Sequence, residues 1–281
     1  MKKILGILLV TILLTGCGKD NSVTALNKAV ENLESIKSAT VEFGIDFKMN
    51  QNGMKLEMPL ALEMAYKQEN DDTFMRMSIL DNILVGKHDL YLTNINDESN
   101  IYMNSSLFVM IMNMVTGGEY SLDKEYWVKE SIEDSQEDFN LNLDEFNKDD
   151  FNIDIEKVLS KDDIKLLEEK DGIAKYKITL SKDLMKKILK DEEDLEELEE
   201  LPEFSIELYY SIDTKNNVLT KFEADLTKAI KDLSTEEMDA SMVEKLSIYI
   251  EIKDINSTEV TIPEGTKNAI TMDELTSKFM Q

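Results

Sequence analysis

Large apolar residues occupy every second position over 54–66, and this alternation constrains the fold more than any other feature of the sequence. Charged residues, including Lys55, Glu57 and Glu63, occupy one side of the repeat. The other side carries Met54, Leu56, Met58, Leu60, Leu62, Met64 and Tyr66. A period of two is typical of a β-strand with one covered face. At about 3.3 Å per residue the segment spans roughly 43 Å, so we expect a long strand that bends around the body it covers.

The same alternation recurs along the chain and predicts a series of hairpins. Residues 41–49 alternate just before a turn at 51–53, and later hairpins turn at Asp171-Gly172 and at 215–217. Further strand patterns lie at 72–80, 83–94, 100–104, 124–131 and 246–252. Residues 259–265, EVTIPEG, are expected to close the sheet as a last strand.

Four segments have the spacing and end signals of helices. Residues 24–38 place Leu26, Ala29, Val30, Leu33 and Ile36 on one stripe. Residues 107–118 predict a short buried helix that ends at Gly117-Gly118. Ser181 caps a helix whose stripe includes Leu184, Ile188, Leu195 and Leu198. Thr271 and Glu274 have the spacing of a capping box for a last helix.

Hairpins that follow one another without regular strand-helix-strand alternation predict the fold class. We expect a mainly β (α+β) protein with a single antiparallel sheet of about ten strands, one face wet and the other covered. The chain has only three prolines and no low-complexity linker, so residues 24–281 are interpreted as one domain.

The N-terminus has the layout of an export signal. Lys2 and Lys3 precede an eleven-residue apolar run that is too short to span a bilayer, so we expect cleavage rather than a membrane helix. Residues 14–17, LTGC, resemble the lipobox of bacterial lipoproteins. The resemblance implies a signal peptide over 1–16, cleavage between Gly16 and Cys17, and diacylglycerol attachment to the Cys17 thiol, with fatty acyl chains such as palmitate. Residues 17–23 then form the lipidated cysteine and a short polar tether. A Sec signal with a chance cysteine is the alternative.

Charge and cysteine content exclude several classes of partner and of fold. The chain has 31 basic and 58 acidic residues, a net charge of −27, which makes nucleic acid an implausible partner and weakens adhesion to anionic lipid. Cys17 is the only cysteine, so no intramolecular disulfide forms and an apolar core must supply the stability. We expect the acyl anchor to hold the protein on the extracytoplasmic face of the cell membrane.

The order of elements resembles the LolA/LolB and LppX/LprG group of bacterial lipid-binding and lipoprotein-carrier proteins. The residues that carry the resemblance are a first helix ending in ESIKSA, a long amphipathic hairpin, helices inserted among strands, and the closing VTIPEG. The resemblance implies an open, curved half-barrel with short helices on its concave face and a lipophilic ligand. It covers most of residues 24–270 through patterns rather than diagnostic motifs.

Methionines supply the candidate ligand cavity. Thioether side chains are flexible and polarisable, which suits variable acyl chains. They fill ordinary cores equally well, and we favour core filling over ligand lining by a small margin. The candidate cavity residues are Phe47, Met49, Met58, Leu60, Met64, Met77, Met110 and Trp127.

The sequence offers little material for catalysis, metals or cofactors. His88 is the only histidine, and no phosphate-binding glycine loop or nucleophile motif is present, so we expect neither an enzyme nor a cofactor. The acidic run over 191–203 lacks the pattern of a calcium loop, and we interpret it as a solvated helix face rather than a metal site.

Two functional hypotheses remain. The first is a non-enzymatic lipoprotein that binds or transfers a lipid or lipidated protein. The alternative is an envelope sensor or protein-interaction module of the same fold with a filled core and no lipid. A solute-binding protein would need a βαβ pattern that the sequence lacks.

Replacement of the lipobox cysteine tests the anchor. In a Cys17→Ala variant we expect a longer, unlipidated precursor, because no other thiol can accept the diacylglycerol. Metabolic labelling with a radioactive fatty acid measures this, and label retained by the variant would contradict it.

Overall fold

The computed structural model contains eleven strands and four α-helices within its described residues. It describes residues 24–26, 28–29, 32–51, 53–79, 88–96, 98–118, 120–132, 159, 163–188, 198–234 and 240–279. The strands are β1 (Ser38–Gln51), β2 (Met54–Glu69), β3 (Asp72–Ile79), β4 (His88–Ile95), β5 (Glu98–Asn104), β6 (Trp127–Ser131), β7 (Ile164–Lys170), β8 (Ile173–Ser181), β9 (Ser205–Asp213), β10 (Val218–Asp225) and β11 (Val243–Lys253). The prediction of a mainly β fold with about ten strands is confirmed.

The strands form one open sheet in the order β6-β5-β4-β3-β2-β1-β11-β10-β9-β8-β7. The neighbouring strands from β2 to β6 pair antiparallel, and so do those from β7 to β11. The hairpin turn at Asp171-Gly172 is confirmed, with φ angles of 52° and 80° that favour such a tight turn. On the outer side of β6, Ile270 makes a parallel bridge to Val128 and accepts a hydrogen bond from the Lys129 N–H at 2.8 Å.

The helices are α1 (Ser105–Thr116), α2 (Lys182–Ile188), α3 (Thr227–Asp232) and α4 (Met272–Phe279). Ser181 caps α2 as predicted, because its Oγ accepts the Leu184 N–H at 3.2 Å. The capping box of α4 is confirmed in both directions between Thr271 and Glu274, at 3.0 and 3.2 Å. Leu195 lies outside the described residues. No helix in the described part of the chain is long and apolar enough to cross a membrane.

Two predictions about local structure, the helix over 24–38 and the strand over 259–265, are wrong or only partly right. Residues 24–26 and 28–29 are helical, but a 3-10 helix, η1 (Asn32–Ser35), follows and β1 begins at Ser38, so Ile36 is not helical. Val30 lies outside the described residues. Residues 259–265 do not form a strand. Instead Pro263 precedes a 3-10 helix, η2 (Glu264–Asn268), in which the Thr266 hydroxyl donates to the Pro263 carbonyl at 2.7 Å.

The predicted helix over 107–118 exists, but it is not buried. α1 begins two residues earlier, at Ser105, and its last residue is Thr116. Gly117 follows as the expected left-handed cap, with a φ of 64°. Only Ser105 and Leu107 of this helix are buried. The apolar composition of the segment suggested a core element, whereas the structure leaves most of that surface in contact with solvent.

The chain divides into two compact units. The first comprises Met1–Ile36, Phe43–Leu60 and Asp144–Ile252, and the second comprises Lys37–Glu42, Ala61–Leu143 and Lys253–Gln281. The assignment of one domain to residues 24–281 stays a prediction.

The core of the first unit lies on one face of β8, β9 and β10. The alternation predicted for β9 is confirmed, since every second residue from Phe204 to Ile212 is at most 6% exposed. The residues that pack over this face include Leu26, Ala29, Leu184, Met185, Leu198 and Ala229. Burial of a large apolar side chain contributes about 1.5–3 kcal/mol, so this face is the main source of stability in the unit.

The opposite face of the first unit is polar and ion-paired. Lys245 of β11 binds Asp46 of β1 at 2.6 Å, and this hydrogen bond raises the pKa of the Lys245 ammonium. On the same side of β1, Gly44 is buried beneath the Tyr249 ring. A Cβ at Gly44 would meet the Tyr249 Cζ at 2.2 Å, so the close approach requires glycine.

A Gly44→Ala variant should therefore lose about 1–3 kcal/mol of unfolding free energy, because the Tyr249 ring must move. Urea denaturation measures the loss. In the control variant that combines Gly44→Ala with Tyr249→Ala, the alanine at 44 should add little further cost. An equal cost in both backgrounds would contradict the contact.

Candidate functional site

The register of β2 to β6 places apolar and polar residues on opposite faces of the second unit. One row of cross-strand partners consists of Met64, Met77, Leu90, Met103 and Val128. The adjacent row, on the other face, consists of Ala65, Arg76, Tyr91, Tyr102 and Lys129. Cross-strand partners share a face, so these rows define the two sides of the sheet.

Neither side is uniformly buried, since Val128 in the apolar row is 0% exposed, whereas Arg76 and Tyr102 in the other row are half-buried and Lys129 is exposed. We define the methionine face as the residues Met64, Met75, Met77, Leu90, Leu92 and Met103, all of which are half-buried. On the opposite side, Ala65, Ser78, Tyr91 and Thr93 are 0–7% exposed.

A C-terminal segment lies against the polar side. We call residues 254–270 the strap, because it crosses the polar side of the second unit. Thr258 lies 3.1 Å from the Thr40 hydroxyl of β1, and Glu259 accepts from Lys67 of β2 at 2.7 Å. At the far end Gly265 packs against the Trp127 indole of β6. The strap thus covers the polar side.

Tyr91 and Trp127 fill the space beneath the strap. Their rings meet edge to face with centroids 5.8 Å apart, and burial raises the pKa of the Tyr91 hydroxyl above its ordinary value. Trp127 alternates with Val128, so it lies on the strap side with Lys129. The structure therefore separates Trp127 from Met64 and Met77, with which the sequence had grouped it.

Met64 and Met77 are direct cross-strand partners. Their neighbours Tyr66 and Met75 form the next pair on the same face, and Leu92 pairs with Met75. The result is a continuous apolar surface built from flexible side chains. Such a surface adapts to ligands of variable shape.

The other candidate residues on strands lie in the first unit. The Lys48–Glu57 ion pair, at 3.3 Å, lies between β1 and β2, and strand alternation then puts Phe47, Met49, Met58 and Leu60 on the opposite, apolar side. This side, which we call the hairpin face, is also open to solvent. Its exposed members are Phe43, Ile45, Met54, Leu56, Met58 and Leu60, at 37–74%.

Met110 lies elsewhere, in a cleft beside α1. The cleft has a volume of about 670 Å³, within the range of small-molecule sites. One wall is α1, with Ser106, Val109, Met110 and Met114, and the other is residues 120–125. Asn113 joins the walls, because its Nδ2 donates to the Tyr120 carbonyl at 3.1 Å and its Oδ1 accepts the Tyr120 N–H at 2.6 Å.

Sequence reasoning missed this cleft and the exposed side of α1. A signal was available, since residues 105–118 contain no charged residue in a chain that is 32% charged. That signal was interpreted as burial. Burial and exposure of an uncharged helix cannot be separated by composition alone, because both give the same sequence pattern.

Within the described part of the chain, no group of three His, Cys, Asp or Glu side chains could hold a metal ion. His88 begins β4 opposite Ile79. Residues 191–197 of the acidic run, together with Gly16 and Cys17, lie outside the described residues. The expectations about the anchor and the acidic run therefore stay predictions.

Comparison with known proteins adds little. No family model and no curated protein matches the sequence. The chain is similar to LprF from Mycobacterium bovis with a TM-score of 0.37 and 10% identity, over 89% of this chain and 99% of that one. A DUF1329 family protein from Desulfovibrio piger matches with a TM-score of 0.26 and 12% identity, over 88% and 97%. Both TM-scores are below 0.5, so neither likeness bears on function.

The half-burial of the methionine face leads to a prediction about stability. A Met64→Asp variant should lose at most about 1 kcal/mol, because its carboxylate can stay hydrated. The control Leu208→Asp places the same group at a strand residue of similar size that is 0% exposed, and should cost about 4 kcal/mol or more. Chemical denaturation measures both, and equal losses would show that Met64 belongs to a packed core.

Proposed function

We propose that this protein is an extracytoplasmic lipoprotein, anchored through Cys17, that binds or transfers a lipophilic ligand without catalysing a reaction. The observation that carries the proposal is the half-buried methionine face, a continuous apolar surface of which no defining residue is fully buried. Large contiguous apolar surfaces are rare on soluble proteins and mark sites for ligands, partners or membranes. The strap contacts the polar side of the same sheet, on β1, β2 and β6.

The composition of the face favours acyl chains over a shaped, rigid ligand. Met64, Met75, Met77 and Met103 are unbranched and can repack around chains of different length. The strands that carry them contribute few polar groups to this side. Such a surface is selective for apolarity rather than for one molecular outline, and any headgroup selectivity must come from its rim.

Transfer energetics are compatible with a carrier. A sixteen-carbon chain that leaves water gains roughly 12 kcal/mol at about 0.8 kcal/mol per methylene, but the bilayer offers nearly the same gain. Movement from membrane to protein is then close to neutral. Reversible exchange, which a carrier needs, follows from that balance.

The alternative is a protein-interaction or sensor lipoprotein of the same fold. The hairpin face supports it, because six large apolar side chains on one hairpin also suit a protein partner. The two proposals differ in whether lipid accompanies the purified protein.

Organic extraction and mass spectrometry of residues 17–281 carrying Cys17→Ser, expressed without the signal, test the proposal. We expect copurifying lipid in this protein. Met64→Asp should greatly reduce the lipid while leaving the melting temperature nearly unchanged, because a carboxylate on the face repels an acyl chain from a surface that remains folded.

The matched control for lipid content is Met54→Asp, which places the same charge at a methionine of the hairpin face and should retain the lipid. Absence of lipid from the parent protein, under conditions in which it is folded, would favour the protein-interaction alternative. Equal lipid content in the parent and in Met64→Asp would contradict the assignment of the methionine face.

A further inference from the structure

α1 presents a row of exposed apolar side chains along one side of its second half. Ile111, Met114 and Val115 are 46%, 68% and 79% exposed. Their spacing of three and four residues places them on one helical face. The rest of the helix is held from other directions, through buried Leu107 and through Phe108, whose ring centroid lies 5.7 Å from that of Phe279.

Two polar groups at the end of this helix are paired with carbonyls of the helix itself. The Thr116 hydroxyl donates to the Met112 carbonyl at 2.7 Å, and the Gly117 N–H donates to the Asn113 carbonyl at 3.0 Å. Residues 105–118 also lack any charge. Internal pairing of backbone groups and absence of charge are what a hydrocarbon environment requires.

We infer that the second half of α1 inserts Ile111, Met114 and Val115 into the surface of a lipid bilayer. The row is too small for a stable protein interface, because three side chains on one helical face fall well short of the roughly 800 Å² per partner that such interfaces bury. A bilayer requires no matching surface and accepts a small apolar insertion.

The tyrosine and lysine side chains near the row are of the types found at membrane interfaces. Tyr120 is 38% exposed and packs edge to face on Phe279, with centroids 5.8 Å apart. Lys124 and Lys278 lie over the Tyr126 ring at 5.1 and 4.9 Å. Tyrosine rings and lysine side chains with long apolar stems are the residues that occupy membrane interfaces.

Charge predicts which bilayer the helix enters. Asp123 and Glu125 accompany the two lysines, and the whole chain carries −27, so no electrostatic attraction to anionic lipid is available. Insertion into zwitterionic vesicles should therefore be insensitive to salt. Insertion into anionic vesicles should be weaker.

A fluorescent label on α1 tests the insertion directly. Residues 17–281 with Cys17→Ser contain no cysteine, so Met114→Cys gives a unique site for an environment-sensitive dye such as NBD. With phosphatidylcholine vesicles we expect a blue shift and a rise in emission. The matched control is Met54→Cys on the hairpin face, which is 74% exposed and should show neither change.

Vesicle flotation of unlabelled protein supplies the second measurement. Met114→Asp combined with Val115→Asp should lower the partition coefficient at least about tenfold, because charged groups must then enter the interface. The melting temperature should stay unchanged, since both side chains are exposed. Met54→Asp should leave partitioning intact.

Four results would overturn the inference. In the fluorescence experiment they are an unshifted label at residue 114 in the presence of vesicles, and a blue shift without vesicles that grows with protein concentration. In the flotation experiment they are partitioning that survives the double substitution, and partitioning that is lost in Met54→Asp. A blue shift without vesicles would also change the interpretation of the row. It would assign the row to self-association. None of these results depends on whether lipid copurifies with the methionine face, so this inference and the proposed function can fail separately.

Discussion

The strap covers part of one side of the second unit. An antiparallel sheet has two faces, and its stability requires that at least one be covered. Here residues 254–270 cover the polar face, through Thr258 at β1, Glu259 at β2 and Gly265 at β6. Ile270 then extends the sheet beyond β6, so the same segment protects an edge that would otherwise offer free backbone groups.

This arrangement explains how an apolar face can remain open without loss of the fold. Tyr91, Trp127 and Ala65 supply buried area beneath the strap, and buried Ser78 donates a hydrogen bond to Asp89. The methionine face contributes less burial and is correspondingly less constrained. In the first unit, the apolar side of β8 to β10 is packed, and the opposite, ion-paired side is in contact with solvent.

The strands could be predicted from sequence because their signal is local. The strand β2, the alternation in β9, the turn at Asp171-Gly172 and the caps at Ser181 and Thr271 depend on residues close in the chain, and all are confirmed. Which face of a strand is covered is a long-range property. Met64 and Leu208 have the same apolar-polar pattern around them, yet one is half-buried and the other fully buried.

The failures at the C-terminus and at α1 have the same origin. Residues 259–265 have strand-like composition, but they cross the sheet as part of the strap, and Pro263 leads into a 3-10 helix instead of a ladder. For α1, an uncharged helix gave no indication of whether protein or solvent lies beside it. Trp127 was grouped with the methionines as a candidate cavity residue, whereas its position in β6 puts it on the opposite side.

An open apolar surface carries a risk of aggregation, and the charge of the chain opposes that risk. Two molecules that approach through their methionine faces or hairpin faces must also bring together bodies that each carry −27. Repulsion of this size slows association between copies, whereas an uncharged lipid meets no such barrier. The acidic composition and the uncovered apolar faces are therefore physically linked. Because salt screens charge over about 8 Å at physiological ionic strength, that repulsion acts mainly between close surfaces, where the apolar faces would otherwise meet.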